Sequence, residues 1–357
     1  MSGNVLTGLG LRTPVVAAPM AGGPSTPELV TAVTEAGGLG FLAAGYRSAA
    51  DLAGELARVR SLTGGAFGVN VFVPGPDRGT VDDIAGYAHV LTPLATRLGV
   101  ALGTPHPDDD DYPAKLDLLA SDPVPLVSFT FGCPSAADVR RLRDRGTVVA
   151  LTVTTVAEAT AGQAAGVDLL VVQGDAAGGH RASFVDDPAA APGAGAQPLA
   201  ELLSRIRAAG PLPLIGTGGL MDGSDVASVL AVGAIGAQLG TAFLDCPESG
   251  TNATHRRALR DDRYAATAFT RAFTGRTARG LVNEFMVGYA AAAPAGYPSV
   301  HQLTRPLRAA AARHGDADAL HLWAGTGWRR LRPMAAGDLV RLIEAERTAG
   351  PRGAVAS

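Results

Sequence analysis

The chain has 357 residues, with 46 glycines, 47% hydrophobic and 18% charged residues, and a formal net charge of −3 at pH 7. That hydrophobic share supports a sizeable core and excludes global disorder, and the glycines follow no Gly-X-Y period, which excludes collagen. The near-neutral charge lacks the basic footprint of a nucleic-acid or polybasic membrane binder. The two cysteines, Cys133 and Cys246, have neither CxxC nor Cys/His zinc spacing.

Lys115 is the one lysine among 30 basic residues, a bias that reads as genome composition. The opening MSGNVLTGLGLRTP has no basic region before an apolar run, so a signal peptide is not expected and a cytoplasmic protein is. The length suits two domains, or one large α/β barrel with an elaboration.

Eight short apolar runs follow in chain order: 14–20, 39–45, 66–73, 126–132, 147–154, 167–174, 212–219 and 236–244. None alternates apolar and polar, as expected for strands buried on both faces of a parallel sheet. Helical segments lie between them. Ser25-Thr26-Pro27-Glu28 opens the first with a capping hydroxyl and an early proline, and Gly37-Gly38 closes it. Eight strands with seven crossovers predict an α/β fold of the (β/α)8 TIM-barrel type, with a doubly wound open sheet as the structural alternative. The uncharged stretch 226–244 is long enough to span a bilayer, but Gly233 divides it into a helix-like and a strand-like half, so no membrane span is expected.

Three segments exceed ordinary loops. Residues 100–122 carry the acidic run Asp108–Asp111 among prolines, read as a solvated excursion. Residues 175–197 are rich in Gly, Ala and Pro. Residues 246–319 read as a mostly helical lid domain, so the barrel is expected over 1–245 and 320–350.

In such a barrel the functional groups gather at the C-terminal ends of the strands. Those ends carry Pro19-Met20, Asn70, Gln173, Gly218-Gly219 and Gln238-Leu239-Gly240-Thr241, a set rich in glycine and amides and poor in charge. Glycine loops behind the seventh and eighth runs suit phosphate binding, because backbone N–H groups can approach an anion there. No GxxxxGK[ST] is present, and no GxGxxG follows the first strand. Asn70 and Gln173 could hydrogen-bond a heterocycle edge or satisfy local backbone.

His180, in Gly178-Gly179-His180-Arg181 close behind the sixth run, is the strongest candidate for proton transfer, with an ordinary pKa near 6.5. The other reading is a surface-loop histidine. Arg181 could attract an anion. His89, His106, His255, His301, His314 and His321 are read as structural or solvated. Cys133 could line the mouth but has no partner that would make it a nucleophile.

The blocks PVVAAPMAGGPSTPELVTAVTEAGGLGFLAAGY (14–46), GVNVFVP (68–74), VVQGDAAGGHRASF (171–184), PLIGTGGL (213–220), GAQLGTAFL (236–244), RAFTGRTARGLVNEF (271–285) and LWAGTGW (322–328) together resemble the nitronate monooxygenase family, formerly called 2-nitropropane dioxygenases. The resemblance implies an FMN-dependent TIM barrel with an added helical domain. It implies oxidation of alkyl nitronates, and of nitroalkanes, by O2 to a carbonyl compound and nitrite. On it, Pro19, Met20, Asn70, Gln173, Gly178 and Gly179 would contact the flavin. Gly218, Gly219, Gln238, Leu239, Gly240 and Thr241 would meet its phosphate, and His180 would be catalytic.

Pro24, Asp175 and Ala182 depart from the family pattern. Asp175 could raise the pKa of His180. A similar loop occurs in FMN-dependent reductases that use NAD(P)H, and a flavin-free barrel binding a phosphorylated metabolite is a third reading. Tyr289, Tyr297, His301 and Trp323 are candidates for core packing or for lining a pocket. The oligomeric state is left open by the sequence.

Overall fold

The computed structural model describes residues 4–349. Its strands are β1 (Val15–Ala17), β2 (Gly40–Ala43), β3 (Phe67–Phe72), β4 (Leu126–Thr130), β5 (Val148–Val153), β6 (Leu169–Gln173), β7 (Gly179–His180), β8 (Leu214–Thr217), β9 (Gly236–Leu239), β10 (Thr267–Thr270) and β11 (Ala278–Leu281). Eight of them form one parallel sheet in the order β1-β9-β8-β6-β5-β4-β3-β2. A parallel bridge between Val16 and Leu39 closes it into a barrel. The fold is therefore the expected (β/α)8 TIM barrel, and each of the eight apolar runs holds one barrel strand.

The continuous apolar runs follow from burial on both faces. Val16, Phe41, Leu126, Ala150, Leu169, Val171 and Ile215 point into the barrel. Their neighbours Val15, Ala17, Leu42, Val69, Val127, Val149, Leu170, Val172 and Leu214 point out against the helices. Successive residues on a strand face opposite ways, so a strand covered on both sides must be apolar at every position. Leu6 caps the bottom of the interior cluster from the N-terminal helix Val5–Gly8.

Hydroxyl and carboxylate caps start most crossover helices. Thr26 accepts from the Leu29 amide ahead of Pro27, and Ser48 forms a reciprocal box with Asp51. Ser135, Thr155 and Asp222 cap helices Ala136–Arg143, Val156–Ala165 and Gly223–Ala231. Gly233 (φ +104°) ends the last of these before β9, as the split of 226–244 required. Among the described residues, no helix is long and apolar enough to cross a membrane. After β9 the chain leaves the barrel, and helix Ala336–Ala349 returns to pack against helices Pro27–Glu35 and Gly223–Ala231, completing the outer ring.

Two expectations need correction. Residues 112–121 are not excursion: Tyr112–Ser121 is the helix that packs on the barrel between β3 and β4, with Leu116 and Leu119 in the main core. Nor is the whole acidic run solvated, because Asp110 pairs with the fully buried Lys115.

The segment 246–319 holds helices Ala253–Leu259, Glu284–Tyr289 and Ser299–His314, but also β10 and β11. With β7, these make a three-stranded antiparallel sheet. The second hydrophobic core draws in Tyr87, Leu91 and Leu94 from helix Val81–Leu98 and Leu320, Leu322 and Trp328 beyond the segment. It is thus built from two stretches of chain, helix Val81–Leu98 and residues 244–328, because one amphipathic segment cannot bury its own apolar face.

Candidate active site

The inward-facing period of each strand changes chemistry at its C-terminal end. Below, it reads Val16, Leu126, Ala150, Val171 and Ile215; above, it reads Asn70, Thr130, Thr152, Gln173, Thr217 and Gln238. This polar ring floors a cleft with a cavity volume of about 710 Å³, within the usual range for small-molecule sites. Pro19, Met20, Asn70, Gln173, Gly178, Gly179, His180, Gly218, Gly219, Gln238, Gly240 and Thr241 all line it. Leu239 does not: its side chain is in the outer core and its carbonyl accepts the Ala18 amide at 2.8 Å, so it leaves the candidate set. Ser128, Thr130 and Thr152 were missed by sequence reading, although the two-residue period locates them.

Asn70 donates to Ser128 Oγ at 2.8 Å and Thr130 Oγ1 at 2.9 Å. Gln173 spends both ends of its amide on the loop behind it: Nε2 donates to the His180 carbonyl at 3.1 Å, and Oε1 accepts from the Ala182 amide at 2.9 Å. Gln173 therefore sets the loop that carries His180.

On the opposite side, the N–H groups of Gly218, Gly219, Gly240 and Thr241 make no hydrogen bond to another described residue. Gly218 and Gly219 reach their positions through φ of +124° and +76°, which favours glycine. Unpaired amides converging on a cleft suit an oxyanion such as phosphate. The segment 322–328 braces this wall: Gly325 N–H donates to Thr241 Oγ1 at 2.9 Å, and Thr326 N–H donates to the Ala176 carbonyl at 3.1 Å.

His180 is fixed from both structural units. β7 pairs with β11, setting His180 opposite Ala278, and its Nε2 lies 2.8 Å from Thr274 Oγ1. Phe131, Tyr297 and Trp323 pack their rings around the imidazole at centroid distances of 5.7, 6.2 and 5.6 Å. Burial, then Arg276 and Arg308, push its pKa down to about 3, so the ordinary value expected from sequence does not hold. Asp175 plays no part in that shift; its carbonyl accepts from Arg279 Nε, and Asp186 is the acid that acts on His180.

Three of the six histidines read as structural or solvated also line the cleft: His255, His301 and His321. Burial lowers the pKa of each, to about 4 for His255. Arg181 is buried outside the lining, near Glu158, Asp175 and Asp186; the arginines on the cleft are Arg47, which pairs with Glu55, Arg305 and Arg308. Arg308 is buried, has its pKa lowered to about 10 by desolvation, and forms no ion pair with a described residue. Arg276 lies 4.0 Å over the Phe131 ring, and its buried Nε has no partner among the described residues. Positions 301, 305 and 308 fall on one helical face, a polar stripe that the sequence displays. Cys133 packs against the main core and does not line the cleft, and burial pushes its thiol up. Tyr289 packs on Phe285 in the second core, whereas His301 and Trp323 are lining residues. Among the described residues, no cluster of acids, histidines or cysteines could hold a metal.

The cleft can thus seat an oxyanion at one wall and a small anion near His180 and Arg308. A family profile described as nitronate monooxygenase matches residues 4–346. A probable nitronate monooxygenase of Staphylococcus aureus strain MSSA476 is 36% identical over 341 residues, covering 94% of each chain. A solved structure described as nitroalkane oxidase from Streptomyces ansochromogenes is 48% identical, with a TM-score of 0.94 over 97% of this chain and 98% of that one. FabK from Thermotoga maritima, at 23% identity and a TM-score of 0.73 over 97% and 96%, shares the fold.

Proposed function

Because the chain belongs to the nitronate monooxygenase family, an oxidoreductase family acting on nitronates or nitroalkanes, we propose that it oxidises alkyl nitronates with O2 to a carbonyl compound and nitrite, with FMN as its flavin. The observation that carries the preference for nitronates is the electrostatics around His180. Its imidazole is uncharged, and Arg276 and Arg308 stand nearby with no carboxylate within ion-pairing distance among the described residues. Burial disfavours a charge of either sign there, but the two guanidiniums disfavour imidazolium and favour an anion in the same place. A nitronate arrives already deprotonated. A neutral nitroalkane needs a base, and a histidine held this low is a poor one.

The residues fit a flavin mononucleotide. The unpaired amides of Gly218, Gly219, Gly240 and Thr241 would take the phosphate, and Pro19-Met20 and Gly178-Gly179 leave backbone walls that a planar ring can approach. When bound, FMN would supply the electron transfer between substrate and O2. Thr274 has one hydroxyl proton, and the Arg276 carbonyl lies 3.2 Å away to accept it. His180 Nε2 would then donate to Thr274, which leaves Nδ1 as the free lone pair. Phe131, Tyr297 and Trp323 exclude water around that ring, strengthening its hydrogen bonds.

The test is anaerobic reduction of the flavin in the purified protein by propionate 3-nitronate, an alkyl nitronate and NADPH in parallel. Reduction by the nitronates and not by NADPH supports the reading. Rapid bleaching by NADPH with no response to nitronates would replace it by an NAD(P)H-dependent reductase. A colourless protein that takes up no FMN would point to a barrel binding a phosphorylated metabolite.

A further inference from the structure

The excursion before helix Tyr112–Ser121 reaches the cleft at one residue that sequence reading did not single out. Tyr46 lines the cleft with φ +67°, a left-handed conformation that a tyrosine seldom adopts. Its amide donates to Asp110 Oδ1 at 2.7 Å, and three residues on, the Ala49 amide donates to Asp111 Oδ2 at 2.7 Å. Asp110 is held in turn by Lys115, which donates to Oδ2 at 2.8 Å and also to the Asp110 carbonyl. Lys115 is 0% exposed. A slim ammonium can reach both oxygens where a planar guanidinium fork would need more room, which accounts for the one lysine in a chain that otherwise uses arginine.

The same excursion grips the other unit. Gln302 accepts the His106 amide at 2.8 Å, and its Nε2 donates to Asp108 at 3.3 Å. The neighbour of Gln302, His301, stacks face to face on Tyr46 with ring centroids 4.2 Å apart and planes 6° apart. Phe72 meets the Tyr46 ring edge-on at 5.5 Å. The Tyr46 hydroxyl is buried, has no hydrogen-bond partner among the described residues, and lies beside that of Tyr297. One wall of the cleft is therefore a stacked Tyr46–His301 pair whose two halves come from different units and are strapped together by residues 106–111.

We infer that Asp110, locked by Lys115, is a positioning residue that holds Tyr46 against His301 and thereby sets the affinity of the cleft for its substrate, not the rate of the chemical step. The inference rests on the nitronate reading for the identity of the substrate, but the contact itself does not.

Asp110→Ala is expected to raise KM for an alkyl nitronate about tenfold with kcat within about twofold, since misplacing a wall residue weakens binding. Asp110→Asn keeps an acceptor for the Tyr46 amide and should recover most of that loss. In a Tyr46→Ala background, Asp110→Ala should change KM by less than about twofold, because the effect runs through Tyr46. An equal rise in both backgrounds, or an unchanged KM, overturns the inference.

Amide hydrogen exchange gives a readout free of turnover. Exchange at Tyr46 should speed up in Asp110→Ala while the β3 and β4 amides stay protected; unchanged exchange at Tyr46 overturns the contact. If Asp110→Ala does not fold, Lys115→Met with Asp110→Leu removes both charges and the acceptor together. It should still raise KM only when Tyr46 is present. A wild-type protein that ignores nitronates would sink the functional reading alone, and the exchange measurement would still decide the positioning role.

Discussion

His180 Nε2 and Thr274 Oγ1 lie 2.8 Å apart across 94 positions of sequence. The histidine belongs to the loop behind β6, and the threonine to the connection between β10 and β11. The catalytic candidate is therefore completed only when the second unit docks on the barrel mouth.

Thr274→Val should leave His180 in place but remove its anchor. We expect kcat/KM on a nitronate to fall about tenfold, with a stability loss of about 1–2 kcal/mol from the buried groups left unpaired. Steady-state kinetics and denaturant unfolding check the two effects separately. His180→Ala should retain flavin and lower kcat/KM on a nitronate about tenfold or more; an unchanged kcat/KM would remove His180 from the mechanism.

The glycine wall can be tested at two positions of different strictness. A Cβ at Gly240 would sit 3.4 Å from Ala18 Cβ, an ordinary contact, so Gly240→Ala should fold normally. A Cβ at Gly219 would meet Ala176 Cβ at 2.8 Å, on a backbone of φ +76°. Gly219→Ala should therefore lower the flavin content and cost about 1–3 kcal/mol of stability. Flavin absorbance per polypeptide and thermal melts give both answers; wild-type flavin content in Gly219→Ala would move the phosphate elsewhere.

Arg308 lowers the pKa of His180, His301 and His321 and is the buried cation on the cleft. Arg308→Met should raise all three and raise KM for a nitronate about tenfold or more. Imidazole titration by NMR, together with KM, tests this. Histidines that do not move would show that burial alone sets them.

Stability should depend on pH through these buried histidines. His180 and His255 have folded pKa values of about 3 and about 4, well below the ordinary 6.5 of an unfolded chain. Between those limits the unfolded state binds more protons, so stability is full above about pH 6.5 and falls as pH falls. His301 and His321 are lowered in the same direction. Each group contributes a slope of up to about 1.4 kcal/mol per pH unit in that window. Urea unfolding from pH 7.5 down to 5 should show the decline beginning near 6.5. A flat profile to pH 5 would contradict the burial of these imidazoles.

The barrel was legible because its cause is local. Strands covered on both faces are apolar throughout, and hydroxyl caps mark the helices between them, as at Thr26 and Ser48. The strand-end residues Asn70, Gln173 and Gln238 could be found the same way, because the C-terminal face of a barrel is fixed by chain direction. The depressed pKa of His180 could not be read, because it comes first from burial and then from Arg276 and Arg308, which lie far along the chain. Arg181, adjacent in sequence and read as able to attract an anion, is buried outside the cleft lining.

The sequence by itself determined the eight barrel strands, the face on which the cleft opens, the glycine-rich wall and the histidine behind β6, all of which depend on periodicity and near neighbours. Only the tertiary structure decided what surrounds that histidine. Burial and charge act through space, and the second core that brings Thr274, His301, Arg308 and Trp323 over the barrel mouth is assembled from stretches that share no local pattern. The same holds for Lys115, which composition presents as a residue in the wrong company and packing places under Asp110.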